Sequence, residues 1–534
     1  PMRACIAGLV AIVLAACAST SENLDRVSQW GRWEVALIAT ETAPEDTSLT
    51  INLKAPSGAV HAADGFWDGG AHWKVRFMPD EAGTWTYRTT SQPPLTGLDG
   101  QEGSFEVTAA AEPPTPFLRH GAVHVASDRR HFAHADSIPF FWLADTAWNG
   151  ALKSTDDAWD EYLADRVQKG FSAIQFVTTQ WRAAYANAEG EVAYTGFEEI
   201  AINPRFFDRI DKRINAINDA GLLAAPVLLW TLGEPERNPG RLPESQAIKL
   251  AKYMVARYQA NHVVWFLAGD ENFSEESGAR WRRIGRGGFG GRRHAPATIH
   301  PQGRQWFFDE FADEEWLDVI IYQSSHGGGP VTLEWLHSGP PAQKWNQQPV
   351  RPVLNSEPGY EDILALERGL PHTADDVRRQ LWWSLLNTPT AGVSYGAHGV
   401  WSWEYEAGVA LNHDRFGVAK PWAEAMRLPG SGQVRHIADL FNSIDWWTLR
   451  PEQELILNQS NAPQGHIGAA KSEAGDLAVV YLPQGGEVSL NPDLLSTALS
   501  GFWFDPRTGG RTPADSATYA APSNEDWALV LAAE

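Results

Sequence analysis

Cysteine is almost absent from this chain of 534 residues, which contains only Cys5 and Cys17. Two cysteines this close to the N-terminus cannot form a disulfide framework, so we expect the folded state to depend on packing alone. The paired-cysteine spacing of zinc sites is missing, and the 16 histidines form no HExxH motif. We therefore expect no metal and no cofactor, although the pattern leaves open a calcium ion bound by carboxylates.

Positive charge is also scarce, because 43 lysine and arginine residues face 66 aspartate and glutamate residues, giving a net charge of −23. Such an acidic chain is a poor candidate for a nucleic-acid-binding protein or a polybasic membrane-surface protein. Beyond the first residues, no apolar run approaches the length of a transmembrane helix.

The N-terminal segment has the pattern of an export signal. Met2 and Arg3 precede an apolar run that ends in Leu14-Ala15-Ala16-Cys17. This ending resembles the lipobox of bacterial lipoproteins. The resemblance implies a signal peptide over residues 1–16, lipidation of Cys17, and an exported lipoprotein that reaches the membrane only through this anchor. Ala18 favours the outer membrane, on its periplasmic or cell-surface face, and a plain secretory signal is the alternative.

Tryptophan is abundant, with 25 residues beside 22 phenylalanines and 12 tyrosines. Large cores account for many of these rings. The excess still favours carbohydrate as a partner, because an indole face stacks well on the C–H face of a sugar ring.

Hydrophobic periodicity divides the mature chain into three units. Residues 24–108 alternate with period two between turn residues, which predicts an N-terminal β-sandwich. Residues 117–429 alternate eight apolar runs with amphipathic segments, which predicts a (β/α)8 TIM barrel. Residues 440–534 predict a C-terminal β-sandwich. The predicted fold class is therefore multidomain α/β plus β, with a central barrel between two β-sandwiches.

Polar and aromatic residues cluster where the eight apolar runs end. Barrel active sites are built at the C-terminal ends of the strands, so we expect these side chains to converge on one mouth and bind substrate. An equally simple alternative for each is a role in the barrel core. The candidates are Asp145, Trp148, Gln180, Trp181, Trp230, Asn272, His300, Gln302, Tyr322, Ser324, His326, Asn355, Tyr360, Glu361, His398, Trp401 and Trp403.

Two of the runs end in carboxylates. The fourth ends in Gly269-Asp270-Glu271 and the seventh in Ser356-Glu357. Hydrolysis of a glycosidic bond uses two carboxyl groups, one to protonate the leaving oxygen and one to attack or to activate water. Helix capping or ion pairing is the alternative role for such acids.

Six strings in order carry a resemblance to a known family: PFFWLADTAW, VVWFLAGDEN, ATIHPQG, YQSSHG, LNSEPGYE and SYGAHGVWSW. Together they resemble the apiosidase-like family of bacterial (β/α)8-barrel glycoside hydrolases. Members carry an N-terminal β-sandwich and a C-terminal β-domain that is often named collagen-binding. The resemblance implies a retaining mechanism with Asp270 as acid/base and Glu357 as nucleophile. Glu271, directly beside Asp270, is the alternative acid/base.

The expected function is removal of a terminal or branch sugar from a plant or algal polysaccharide, by an exo-acting retaining glycoside hydrolase. The alternatives are an endo-acting glycanase on the same polysaccharides and a non-catalytic, glycan-binding surface lipoprotein. The sequence leaves the oligomeric state open.

A basic segment after the fourth run stands out in this acidic chain. Its arginines suggest either a surface helix and loop or a clamp for an anionic polysaccharide. They are Arg280, Arg282, Arg283, Arg286, Arg292 and Arg293.

Overall fold

The computed structural model describes residues 25–44, 46–234, 237–291, 293–496, 499–515 and 518–533. The predicted signal peptide, with its lipidation candidate Cys17, lies outside the described residues, as does Arg292.

The N-terminal unit is a seven-stranded sheet with the strand order β1-β7-β6-β3-β4-β5-β2. Its pairs are antiparallel except for the parallel pair β1–β7. Alternate residues face inward and form a separate hydrophobic core that includes Trp33, Trp73, Trp85 and Phe105. The strands are β1 (Asp25–Ser28), β2 (Trp33–Ile38), β3 (Ser48–Lys54), β4 (Val60–Trp67), β5 (His72–Phe77), β6 (Gly83–Gln92) and β7 (Glu102–Thr108).

A short connecting region leads into the central unit. It contains helix α1 (Pro116–His120) and a three-stranded antiparallel sheet of β8 (Val123–Val125), β9 (Phe132–His134) and β10 (Pro139–Phe140).

Each of the eight predicted apolar runs of the central unit contains a strand. The strands in chain order are β11 (Trp142–Thr146), β12 (Ala173–Val177), β13 (Tyr194–Thr195), β14 (Ala201–Ile202), β15 (Leu223–Trp230), β16 (Trp265–Glu271), β17 (Ala297–Pro301), β18 (Ile320–Gln323), β19 (Val353–Glu357), β20 (Gly392–Gly396), β21 (Gly408–Val409) and β22 (Val418–Ala419). The short pairs β13–β14 and β21–β22 are hairpins in the connecting loops.

The eight longer strands form two parallel sheets. Six of them make one sheet with the order β17-β16-β15-β12-β11-β20, and β18 pairs with β19 in a second. At the two places where the sheets meet, β17 contacts β18 and β19 contacts β20. The C-terminal ends of all eight strands therefore lie on the same side of the unit.

Helices lie between most of the successive strands, and their ends carry the expected signals. The connection from β17 to β18 contains only a short 3₁₀ helix, Phe308–Phe311. Ser274 and Thr373 cap α6 and α9 through their side-chain oxygens, and Gly221, at φ 82°, follows the end of α4. The helices are α2 (Gly150–Lys153), α3 (Asp156–Gln168), α4 (Pro204–Asp219), α5 (Glu244–Tyr258), α6 (Glu275–Phe289), α7 (Pro330–Ser338), α8 (Pro340–Lys344), α9 (Ala374–Leu386), α10 (His398–Ser402), α11 (Trp422–Ala425) and α12 (Pro429–Phe441).

A buried polar network crosses the interior between the strands. The amide of Gln175 on β12 donates to Thr146 Oγ1 and to the Ser356 carbonyl, each at 3.0 Å. It also accepts from Ser394 Oγ at 2.7 Å. Because every partner comes from a different strand, this network fixes the strands directly beneath the mouth.

The C-terminal unit is a six-stranded antiparallel sheet with the order β23-β24-β25-β28-β26-β27. One face packs on α9, where Trp382 stacks on Tyr481 with ring centroids 5.3 Å apart. The other face has its own core, which includes Leu455, Val480 and Trp503. The strands are β23 (Arg450–Pro451), β24 (Gly468–Lys471), β25 (Leu477–Leu482), β26 (Leu499–Phe504), β27 (Arg511–Pro513) and β28 (Trp527–Ala533).

In the part of the chain that the structure describes, no helix is both long and apolar enough to cross a membrane. The described residues of each flanking unit form one hydrogen-bonded sheet. In the N-terminal unit the first part of β4 pairs with β3 and its last part with β5.

Candidate active site

A pocket of about 370 Å³ opens at the C-terminal ends of the eight parallel strands. The segments that follow all eight strands contribute to its lining, so the strands converge on it as the sequence pattern suggested. Two carboxylates, two histidines and a set of aromatic rings face the same space.

Glu357, the last residue of β19, is held by two imidazoles. His300 Nε2 lies 2.7 Å from Oε2, and His326 Nε2 lies 2.8 Å from Oε1. Since an ionised carboxylate only accepts hydrogen bonds, each ring donates from Nε2. Burial raises the pKa of Glu357, but the hydrogen bonds from His300 and His326 outweigh it and lower the pKa to about 2. Glu357 is therefore ionised at neutral pH.

Asp270 lies opposite, at an irregularity near the end of β16. Its φ of 59° is in the left-handed region. The pairing with β17 shifts register at this point, since Gly269 pairs with His300 and Glu271 with Pro301. This bulge turns the Asp270 side chain into the pocket. Burial, followed by the charge of Glu357, raises the pKa of Asp270 to about 6.

Glu271 faces the opposite way. Its Oε2 accepts a hydrogen bond of 3.0 Å from Trp281 Nε1 on α6, and the side chain does not line the pocket. The alternative assignment of Glu271 as the acid/base is therefore corrected, because its carboxylate points into the helix layer.

Gln323 connects the two sides of the site. Its Nε2 donates to Asp270 Oδ1 at 3.4 Å. It also lies 3.3 Å from His300 Nε2, but because that nitrogen already donates to Glu357, this second contact is between two donors and is not a hydrogen bond. Gln302 supports the Asp270 backbone by donating from Nε2 to its carbonyl at 3.1 Å. Asp270 and Glu357 thus share one layer of hydrogen-bonding side chains.

Three tryptophans form one wall of the pocket. Trp230 packs on Trp181 with ring centroids 4.4 Å apart and on Trp148 at 5.5 Å. Such a wall presents flat apolar faces beside the carboxyl groups, which suits the C–H faces of a sugar ring.

The structure brings eight of the predicted substrate-binding residues to this site. His300 contacts Glu357, and the others line the pocket directly: Trp148, Trp181, Trp230, Gln302, His326, Tyr360 and Trp401.

Several predicted residues do not line the pocket because successive strand residues point to opposite faces. Asp145 points to the helix layer, where it pairs with Arg166 at 2.6 Å. Tyr322 packs against Trp335 of α7. Asn355 donates to Ser324 Oγ at 2.9 Å and also bonds Ser384 of α9. The prediction that Asp145, Tyr322, Ser324 and Asn355 face the mouth was wrong.

Five further candidates hold loops in place instead. The Gln180 side chain bonds the backbone of Ala193 and Tyr194, and Glu361 accepts from Tyr395 Oη and Gly430 N. Trp403 stacks on Trp422, with centroids 4.9 Å apart. His398 is buried and stacks on Trp401, while Asn272 accepts from Gln305. The prediction that Gln180, Asn272, Glu361, His398 and Trp403 line the mouth is corrected accordingly.

Other pocket residues were not among the predicted substrate-binding residues. Gln323 ends a strand that was predicted, and its inward position follows from the alternation. Arg182 directly follows Trp181, but nothing in the pattern singled it out. The remaining polar and aromatic ones come from loops without strand periodicity: Ser325, His413, Arg415 and Phe416.

The basic segment after β16 is neutralised internally. Its described arginines all bond within the protein, the clearest cases being Arg283 with Glu244 and Arg286 with Glu314. These contacts favour the surface-helix interpretation over the anionic clamp. Within the described ranges, no group of three histidine, cysteine or acidic side chains is arranged to hold a metal ion.

Comparison with known families places the pocket in a recognised domain. Residues 126–448 match the family model described as "Apiosidase-like, catalytic domain". Residues 26–92 match a domain of unknown function, DUF5060, and residues 450–532 match a model for a collagen-binding domain of a collagenase. A search of curated protein sequences finds no match.

Solved structures of glycoside hydrolases have the same fold. A family 5 glycoside hydrolase from Bacteroides vulgatus superposes with a TM-score of 0.69 at 22% identity, covering 79% of this chain and 95% of that one. Another glycoside hydrolase structure from the same organism has a TM-score of 0.70 at 16% identity, covering 95% and 99%.

Proposed function

Because the chain belongs to the apiosidase-like family and has the fold of glycoside hydrolases, we propose that it is a retaining, exo-acting glycosidase. In this proposal Asp270 is the acid/base and Glu357 the nucleophile. The substrate is a terminal or branch sugar of a plant or algal polysaccharide. The observation that carries the proposal is that Asp270 and Glu357, from the ends of β16 and β19, line one pocket with their pKa values shifted in opposite directions.

The proposed reaction has two steps. A Glu357 oxygen attacks the anomeric carbon while Asp270 gives its proton to the leaving oxygen, which forms a glycosyl ester and releases the rest of the glycan. Asp270, now ionised, takes a proton from water, and that water releases the sugar and regenerates Glu357. The first step needs a protonated Asp270 and an ionised Glu357, and the opposite shifts of the two pKa values favour this pair of states.

Exo action is supported by the size and lining of the pocket. A space of about 370 Å³ bounded by loops from all eight strands suits one or two sugar rings rather than a long chain. The strand order, with β17 beside β18 and β19 beside β20, supports closure of the eight strands into a complete barrel. The separate cores of the flanking sheets support two β-sandwiches.

The decisive experiment compares three substitutions with the wild type on a panel of plant and algal polysaccharides. Glu357→Gln should abolish sugar release and Asp270→Asn should lower it by about 10²–10⁴-fold, whereas Glu271→Gln should retain it. Release of a single monosaccharide with retained anomeric configuration, followed by NMR, is the expected result. A ladder of oligosaccharides would establish endo action instead. A product with inverted anomeric configuration would refute the role of Glu357 as nucleophile. Glycan binding without turnover by any form would favour the binding-protein alternative.

Export and lipidation form a second part of the proposal. It is supported by the apolar N-terminal run that ends at Cys17. Labelled fatty acid should be incorporated by the wild type in a bacterial host and not by Cys17→Ser, and the wild type should fractionate with the outer membrane. Equal release of both forms into the soluble fraction would refute it.

A further inference from the structure

Two arginines at the pocket have no acidic partner among the described residues. Arg182 is half-buried, and its Nη2 donates to the Asn412 carbonyl at 2.8 Å. Arg415 is exposed, and its guanidinium lies 4.7 Å from the ring centroid of Phe416. Both side chains line the pocket that contains Asp270 and Glu357.

The positive charges of Arg182 and Arg415 influence the same part of the pocket. Burial, together with the charge of Arg415, lowers the pKa of Arg182, although the charge of Asp270 opposes this. Burial, and then the positive charges of Arg182 and Arg415, lower the pKa of His413 to about 4. Like charges brought together at a partly buried site are unfavourable unless an anion joins them.

Neither carboxylate of the site forms a salt bridge with Arg182 or Arg415. Glu357 is already occupied by His300 and His326. The charge of Asp270 acts on Arg182 without a direct contact, and it is lost when Asp270 is protonated, the state in which it acts as an acid. Both guanidinium groups therefore line the pocket with no carboxylate of the described residues bonded to them.

We propose that Arg182 and Arg415 bind an anionic group, a carboxylate or a sulfate ester, on the sugar next to the one that is cleaved. This inference rests on the proposed glycosidase function and narrows its substrate to acidic glycans. The position follows from exposure, because Arg415 is exposed while Asp270 is half-buried and Glu357 is buried. A guanidinium suits this task since its planar donors match the oxygens of carboxylate and sulfate.

Binding to the inactive Glu357→Gln protein tests the proposal without turnover. The probes are a uronate oligosaccharide, its carboxyl-reduced counterpart, a sulfated galactan oligosaccharide and its desulfated form. Titration calorimetry should show one acidic probe binding at least about tenfold more tightly than its neutral counterpart, as expected for a charge-assisted contact. The pair that shows the difference identifies carboxylate or sulfate as the anion, and added salt should weaken the preference.

Substitutions in the same background assign the preference to these residues. Arg415→Met and Arg182→Met should remove most of it, and Arg415→Lys should restore part. Arg283→Met, which removes an arginine from the neutralised segment, is the charge-matched control and should keep the preference. Thermal melts check that each variant is folded. Equal binding of acidic and neutral probes, or a preference that survives both methionine variants, would overturn the proposal.

The outcome is separable from that of the proposed function. A preference for acidic probes that Arg415→Met removes supports the arginine site even when no polysaccharide is hydrolysed by the wild type, and only the glycosidase proposal then fails. Hydrolysis confined to neutral glycans, without any acidic preference in Glu357→Gln, leaves the glycosidase in place and overturns the arginine site.

Discussion

His300 Nε2 lies 2.7 Å from Oε2 of Glu357, and the two residues come from β17 and β19, which β18 separates. With His326 on the other oxygen, both lone-pair-bearing atoms of the carboxylate are held by donors. This arrangement fixes the orientation of Glu357 and keeps it ionised in a buried position.

Removing either donor should raise the pKa of Glu357. Hydrogen bonds to charged groups contribute about 1.5–3 kcal/mol, which corresponds to roughly one to two pKa units. His300→Ala should therefore move the acidic limb of the kcat/KM profile upward by about one unit and lower kcat about tenfold or more. The measurement is a pH–rate profile, with His326→Ala as the matched variant. His300→Gln, which keeps a donor, should shift the limb less; an unmoved limb in both alanine variants would contradict the role.

The raised pKa of Asp270 should set the basic limb of the same profile. The acid must be protonated, so kcat/KM should fall as pH rises through about 6. Asp270→Asn should remove this limb and lower kcat by about 10²–10⁴-fold, and much less on aryl glycosides whose leaving group needs no proton. A basic limb that persists in Asp270→Asn would show that another group supplies the proton.

The charge of Glu357 is the second cause of the shift at Asp270. In Glu357→Gln the pKa of Asp270 should fall, but it should stay above 3.8 because burial, the larger cause, remains. Carbon-detected NMR titration of the carboxyl carbon measures this directly. An unchanged pKa would mean that the two carboxyl groups do not interact.

Periodicity in the sequence was sufficient to predict the strands and the side on which the site lies. Runs such as LLAAPVLLW have the apolar continuity of a strand buried on both faces, and β15 spans nearly all of this run. Trp148, Trp181 and Trp230 were predicted from the same pattern and line the pocket.

Orientation was harder to predict than position. The alternation of side chains sends Asp145 and Asn355 to the helix layer, yet their polarity suggested the mouth. At Asp270 the alternation is interrupted by a residue with positive φ, and no local sequence signal marks that bulge. Arg182 and Arg415 lie on loops, whose conformations depend on tertiary contacts rather than on periodicity.

Gly269 leaves room for the tryptophan wall. A Cβ at this position would lie 2.4 Å from Trp230 Cε3 and 2.9 Å from Val227 Cγ1, so Gly269→Ala must displace the Trp230 ring. We expect a loss of about 1–3 kcal/mol in stability and a rise in KM. Gly432→Ala in α12, where nothing lies within 4 Å of the added Cβ, is the control and should be neutral or stabilising. Unchanged KM in Gly269→Ala would show that the wall does not contact substrate.

Arg257 joins the N-terminal sheet to the central unit. It is fully buried, and its guanidinium reaches Asp211 on α4 at 2.7 Å and Asp68 of the N-terminal unit at 2.9 Å. Arg76 completes the cluster by contacting Asp211 at 2.7 Å. Burial raises the pKa of Asp211, but Arg76 and Arg257 outweigh it and hold the pKa below 3.8.

Arg257→Met should leave Asp211 buried with one partner fewer, which costs about 3–5 kcal/mol for a broken buried pair. Because the folded-state pKa of Asp211 is lowered, its contribution is present above its ordinary pKa and is lost as pH falls through the folded value. The loss in free energy of unfolding caused by Arg257→Met, measured by urea denaturation, should therefore be larger at neutral pH than in acid. Arg88→Met, which removes an exposed pair with Glu102, should cost no more than about 1 kcal/mol. An equal loss in free energy of unfolding for Arg257→Met and Arg88→Met would mean that the cluster does not stabilise the interface.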